Sequence, residues 1–481
     1  MTDAALTALF NRHGPAYRWL AMLTVLMGTI STILTATIIN VALPEIMRYF
    51  TLSQGVAHWL STGFLAAMTT SMLTASWLAQ RAGLKFAIGF GMLLFCGASA
   101  LGALSQTPEM LILSRVLQGA AAGLLQPLAM FVLFKVFPRE QRGRAMGIYG
   151  IGVILAPALG PVLGGIIVDQ LNWRYVFIVP MPISFLGLVL AMIYMPGRDR
   201  SQKPAGFDWV GFLMLGLGIA TGLDALTRLQ HGGDEIITVI VEMLVSLVSL
   251  TGFVWQQHQS KAPLLQLSLL RIASFRNASI AALALGLALY GSTYLIPLFV
   301  QTAYQYSATD AGIIMFPAGL VLGILFPLAG FAADKYPPRN LIVAGLGVFG
   351  IATLLWLETS QGTPLLYLTV LVVLGRVGLA LMMPALSTGA LVEVDDLHLG
   401  QASGIINFCR QFGAAFGTNM VAIVLELGGS GSSAPSGVEV SAASLSYFEA
   451  FGLMGILSLL AVIPAMKIRR SQVGSNYATE C

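Results

Sequence analysis

Apolar runs of about twenty residues recur along the whole chain, and the breaks between them are short and rich in Gly, Pro and charge. A helix needs roughly 20 apolar residues to cross the hydrocarbon of a bilayer, whereas a barrel strand needs only about 9–11 alternating ones. Fourteen runs of helical length begin near residues 18, 56, 86, 109, 146, 175, 208, 236, 277, 310, 340, 365, 401 and 446. Composition closes the alternative. The 481 residues are 57% hydrophobic and 10% charged, against roughly 25% charged in soluble domains. A fold of this length could not clothe itself for water with so few charges. The sequence predicts an all-α polytopic membrane protein with the lipid bilayer as its first partner. The net charge of +4 comes from short basic groups between the runs, without a basic-aromatic surface motif, so nucleic acid is excluded as a partner.

The first run, about residues 20–43, is longer than the roughly 7–15 residues of a signal-peptide core and reads as an uncleaved span. Cys96 and Cys409 fall inside apolar runs and Cys481 is the last residue, so no disulfide framework is expected. The five histidines show no metal spacing, and there is neither a phosphate-binding Gly-rich loop nor a catalytic constellation. The expectation is a chain that is not an enzyme and carries no cofactor and no metal.

Lys and Arg orient the spans. With the N-terminus inside, nineteen of the twenty-five fall in inner segments, and only Arg48, Arg174 and Arg228 in outer ones. Arg115, Arg376 and Arg410 lie within spans. This bias predicts fourteen spans with both termini cytoplasmic. The two halves echo each other. WLAQRAGLK (77–85), with Arg81, Gly83 and Lys85, follows span two, and GFAADKYPPR (330–339), with Asp334, Lys335 and Arg339, follows span ten. The echo fits two six-helix halves around two inserted spans, a 6+2+6 plan with boundaries at 1–200, 201–260 and 261–481.

Span five reads GVILAPALGPVLGG (152–165). Gly152, Ala156, Gly160 and Gly164 form one stripe at intervals of four, which lets a neighbouring helix approach closely. Pro157 and Pro161 remove helix hydrogen bonds and invite a bend. At this point the chain resembles a family. GPVLGG, including Gly165 and followed by NWRYVF, looks like the antiporter motif of the major facilitator superfamily. LSRVLQGAAAGLLQP (113–127) resembles its fourth-span motif, with Arg115, Gln118 and Gly119 in place. NVALPEI, FPREQRGRAMG and GQASGIINFCRQFG resemble the fourteen-span drug/proton antiporters of the EmrB/QacA group. The resemblance covers nearly the whole chain. It implies the major facilitator fold, alternating access, substrate/proton antiport and amphipathic cargo. It also implies a bacterial inner-membrane location and, for EmrB-like members, a periplasmic adaptor with an outer-membrane channel. The basic loops would latch the two halves on the inner side. Two departures stand out: Thr35 and Gln80 occupy positions where relatives commonly carry Asp.

A charge within a span is a functional hypothesis by default. Arg115 lies about six residues into span four, or roughly 9 Å, and Asn40 lies at a matching depth in span one. That depth nominates Asn40 as its partner, with backbone carbonyls of span one and Glu45 as alternatives, and a snorkelling arginine as the competing reading. Arg376 and Arg410 could balance acids, bind an anionic group or clamp helix ends. Asp224, near the outer end of span seven, is the preferred proton carrier, with Glu242 beside it in the inserted pair. Thr35 is expected near the midplane, facing the cavity. Tyr290 and Tyr294, one helical turn apart, suit either a cavity for an amphipathic ligand or plain packing. The resulting expectation is a proton-coupled exporter of amphipathic small molecules. Its rivals are an exporter of an anionic or zwitterionic metabolite such as a siderophore, and a non-transporting sensor or scaffold on a transporter fold.

Overall fold

The structure is a computed structural model that describes residues 3–52, 54–198, 206–229, 236–306, 308–360, 362–395, 398–430 and 439–469. Among the described residues there is no strand. An amphipathic start, α1 (Asp3–His13), leads into α2 (Tyr17–Phe50), α3 (Gln54–Met72), the short α4 (Ala75–Ala82), α5 (Leu84–Ala103), α6 (Pro108–Val136) and α7 (Arg142–Gln170). The short α8 (Tyr175–Ile178) and α9 (Met181–Tyr194) follow, then a hairpin of α10 (Trp209–Leu229) and α11 (Ile236–Gln259). The rest comprises α12 (Ala273–Thr302), α13 (Ala308–Lys335), α14 (Pro338–Leu354), α15 (Leu365–Leu391), α16 (Leu399–Ser430), α17 (Glu439–Leu460) and the terminal turn α18 (Val462–Ala465).

Local sequence sets the ends of these helices. Thr107 caps α6 by accepting the Met110 amide at 3.3 Å, with Pro108 at the first position and Glu109 in the first turn. Gly83 joins α4 to α5 at φ 86, and a Cβ there would stand 2.6 Å from the Arg198 amide nitrogen. Position 83 therefore needs glycine for both its conformation and its space. Pro44, Pro127, Pro297, Pro317, Pro327 and Pro384 sit inside long helices. Such prolines are tolerated where neighbouring helices and Ser/Thr side chains satisfy the freed carbonyls.

Twelve helices among the described residues are long and apolar enough to cross a membrane by length and composition, not the fourteen that the sequence predicts. The two outside that set are α3 and α7. Both include residues whose side chains lie outside the described ones. The outer surface carries bare apolar side chains such as Leu366 at 75% exposure and Ile237 at 76%, a coat that suits lipid and not water. Of the twelve, α11 buries the smallest share of its apolar window, so the hairpin with α10 lies at the edge.

Close helix approach at glycine holds each half together. α3 lies on α6 because Gly119 and Gly123 leave room for the Phe64 and Met68 carbonyls. α12 meets α16 at Gly286 and Gly413, and α14 meets α15 at Gly345 and Gly378. The stripe of Gly152, Gly160 and Gly164 packs α7 against Leu26, Ile30, Thr37, Ile38 and Val41 of α2. The side chains of Pro157 and Pro161 lie outside the described ones.

The two halves touch mainly through α7 and α13, and mainly at one end. At the basic end, Gly143 faces Gly330, Gly147 faces Phe326 and Pro327, and Gly150 receives the Phe326 ring. Toward the opposite end, Gly165 of α7 and Gly312, Gly319 and Gly323 of α13 have nothing within 4 Å of where a Cβ would be. The halves are thus interlocked at the basic end and apart at the other.

Gly119→Ala drives a methyl group into the Phe64 carbonyl and is expected to cost about 2 kcal/mol. Thermal unfolding in detergent should show the loss, and Gly165→Ala, which meets nothing, should leave the midpoint unchanged.

Candidate functional site

The region between the halves, at the outer edge of the interlock, gathers polar side chains from both. On α16, Arg410 donates to Asn407 Oδ1 at 2.7 Å. Asn407 spans the gap, its amide 3.5 Å from Met130 Sδ on α6 and 2.9 Å from the Ser403 carbonyl. Tyr149 of α7 donates its hydroxyl to Thr29 Oγ1 of α2 at 2.9 Å. Tyr149 and Tyr290 of α12 both lie within electrostatic reach of Arg410. Tyr290 and Tyr294 are each 44% exposed on α12. Five helices thus frame one polar patch with a guanidinium in it. The spacing of Asn407 and Arg410, three residues apart on a helix, was open to sequence reading. The roles of Tyr149 and Thr29 were not, because nothing local ties α7 to α2.

Arg115 is sealed, at 1% exposure. Its Nε donates to the Leu60 carbonyl of α3 at 2.9 Å, and another guanidinium nitrogen donates to Gln118 Oε1 at 2.8 Å. Gln118 passes the chain on to Ser99 Oγ of α5 at 2.8 Å, and the Phe64 ring lies under the guanidinium at 4.4 Å. Asn40 is not its partner: it is exposed and contributes no bond to Arg115. Matching depth along the membrane normal says nothing about which helix stands beside which. Thr35 corrects a second expectation. It is 2% exposed, packed inside the half, and does not face open space. Five residues separate it from Asn40, a rotation of about 140° on a helix, and Asn40 is the one that is exposed.

Arg376 on α15 is likewise closed in, at 6% exposure. It donates to Ser292 Oγ at 3.3 Å and Thr293 Oγ1 at 3.1 Å on α12. A small cavity beside it, bounded by Phe349, Trp356 and Phe451, has room for about one water.

Asp224 lies in the peripheral hairpin and not between the halves. Arg228 Nε stands 3.0 Å from Asp224 and 3.4 Å from Glu242, so one guanidinium serves two carboxylates.

The two loop motifs behave differently. Asp334 accepts the amides of Gly143 at 2.6 Å and Arg144 at 2.8 Å, capping the N-terminus of α7 from the other half. Lys335 is exposed and Arg339 half-buried in the first turn of α14. In the first copy, Gln80 donates to Ser76 within its own helix at 3.3 Å, Arg81 lies over the Trp77 ring, and Lys85 donates its amide to the Pro196 carbonyl. None of these three contacts crosses to the other half.

Comparison with known proteins places this geometry. The sequence profile of the Major Facilitator Superfamily matches residues 25–418. A lincomycin resistance protein, LmrB, of Listeria innocua is 27% identical over 403 residues, 84% of this chain and 85% of that protein. A multidrug resistance protein B homolog of Mycobacterium tuberculosis is 30% identical over 398 residues, 81% of this chain and 73% of that protein. Among solved structures, the proton:xylose symporter XylE shares the fold with a TM-score of 0.63 at 14% identity, covering 92% of this chain and 95% of that one. The human organic anion transporter MFSD10 does so with a TM-score of 0.64 at 16% identity, covering 92% and 99%.

Arg115→Ala strands the Leu60 carbonyl contact and Gln118 inside a dry interface. It should cost about 3 kcal/mol and abolish transport while membrane insertion persists, as read by unfolding, flux and membrane fractionation. Asp334→Asn turns an amide donor toward the donors of α7 and removes the charge at its N-terminus. An Ala333→Cys probe, buried at the interlock in a background without the native cysteines, should then label about tenfold faster.

Proposed function

This chain belongs to the major facilitator superfamily, and on that premise we propose that it is a secondary active exporter of amphipathic small molecules, driven by proton antiport. The observation that carries this reading is the lopsided contact of the halves, interlocked at the basic end and apart at the other. Rocking of two halves about a central polar patch is the motion that alternating access requires. The direction of transport and the amphipathic cargo rest on the drug-resistance names of the Listeria and Mycobacterium relatives.

In this reading α3 and α7 also cross the bilayer, making fourteen spans in a 6+2+6 arrangement of the EmrB/QacA type. Support comes from their packing along α6 and along α2 and α13. The basic residues support both termini lying on the cytoplasmic side of a bacterial inner membrane, and in this reading the open end faces outward. Asp334 is the cytoplasmic latch: it holds α7 while the outer side is open and must release it when the halves rock. The proton is assigned to the Asp224–Glu242 pair, two carboxylates that share the Arg228 guanidinium in the hairpin. A periplasmic adaptor with an outer-membrane channel would complete the export path.

Purified protein in proteoliposomes decides the matter. An imposed pH gradient, acidic on the outer side, is expected to accelerate efflux of amphipathic dyes. No acceleration for any dye would remove proton antiport. Asp224→Asn should abolish the response to the gradient while dye exchange at equal pH continues.

A further inference from the structure

Cargo chemistry turns on the three arginines within the spans. Arg115 and Arg376 are sealed, and their polar partners are carbonyl, amide and hydroxyl groups of neighbouring helices. They hold helices together and are closed off inside each half. Arg410 differs in every respect. It is only partly buried, and of its five N–H donors Asn407 takes one. Among the described residues no carboxylate stands within ion-pair distance of it. Its neighbours come from both halves: Met130 of α6 through Asn407, Tyr149 of α7 and Tyr290 of α12. On α7, Tyr149 lies between Gly147 and Gly150, the outermost glycines of the interlock, both of which meet Phe326. A cation with unfilled donors therefore sits near the closed end of the gap between the halves.

We propose that Arg410 is the specificity-determining residue of the central site and that the cargo is an amphipathic organic anion whose carboxylate it binds. The proposal rests on the exporter reading and narrows its substrate class. A carboxylate accepts two parallel bonds from a guanidinium, and in a space of low dielectric such a bond far exceeds its strength in water. The exposed Tyr290 and Tyr294 offer ring faces to the apolar part of the ligand. A cationic amphiphile at the same place would meet like charge with no carboxylate to offset it.

The test uses two xanthene dyes of similar ring system and opposite charge, carboxyfluorescein and rhodamine 6G. Binding to purified full-length protein is read by fluorescence polarisation, and transport by flux in proteoliposomes. The wild type is expected to bind and export carboxyfluorescein. Arg410→Gln should weaken its binding by tenfold or more, on the order expected for a charge-assisted bond, whereas Arg410→Lys should recover part of the loss. Recovery by Lys separates charge from the Asn407 contact, since a structural role would fail in both variants. Thermal unfolding confirms that each variant is folded. Export of rhodamine 6G without binding of carboxyfluorescein overturns the anion site and leaves the exporter reading intact. Arg410-dependent binding of carboxyfluorescein without transport of either dye supports the site and removes the exporter reading. Equal binding of carboxyfluorescein by wild type and Arg410→Gln, or its absence in both, overturns the proposal.

Discussion

Gly143 and Gly330 let α7 and α13 touch backbone to backbone, and the difference between the two ends of the molecule follows from that contact. A side chain at either position would hold the helices apart and remove the seal. Because the helices meet, Asp334 is carried within 2.6 Å and 2.8 Å of two free amides at the start of α7, where the helix dipole favours its charge. The pseudo-equivalent loop has no such acid. Gln80 bonds to Ser76 of its own helix, and Gly83 folds that loop onto Pro196 and Arg198 of the same half. Among the described residues, the helix cap across the halves comes from Asp334, and it depends on how closely two glycines approach.

The same economy governs the charges inside the spans. Hydrocarbon offers no hydrogen-bond partner, so an arginine there must find one within the bundle. Arg115 and Arg376 take neutral oxygens from adjacent helices and stay closed in. Asp224 and Glu242 both meet Arg228 in the peripheral hairpin. Arg410 alone of the three span arginines keeps access to the gap between the halves. Sequence gives these three arginines one appearance, and their surroundings give them two different tasks.

Much of the fold was legible because its determinants are local. Run length sets helix length, Gly and Pro set the breaks, and the period-four stripe of α7 marks a face for a close neighbour, which proves to be α2. The motif residues named Arg115, Gln118 and Asp334 before any geometry was known. The number of crossing helices was less secure. Among the described residues twelve helices are long and apolar enough to cross a membrane where fourteen were expected, and α3 and α7 are the two outside that set.

By itself, then, the sequence determined that this chain lives in a bilayer as long helices and which residues would be costly there. Only the tertiary structure decided what those residues meet. Depth along a helix follows from counting at a fixed rise per residue, which is why Asn40 and Arg115 matched in level. Rotation and neighbourhood depend on how helices distant in the chain pack, and no local rule supplies that. Thr35 turned inward, Asn40 turned out, and Arg115 found Leu60, because packing against α3, α5 and α7 fixed the facing of each helix.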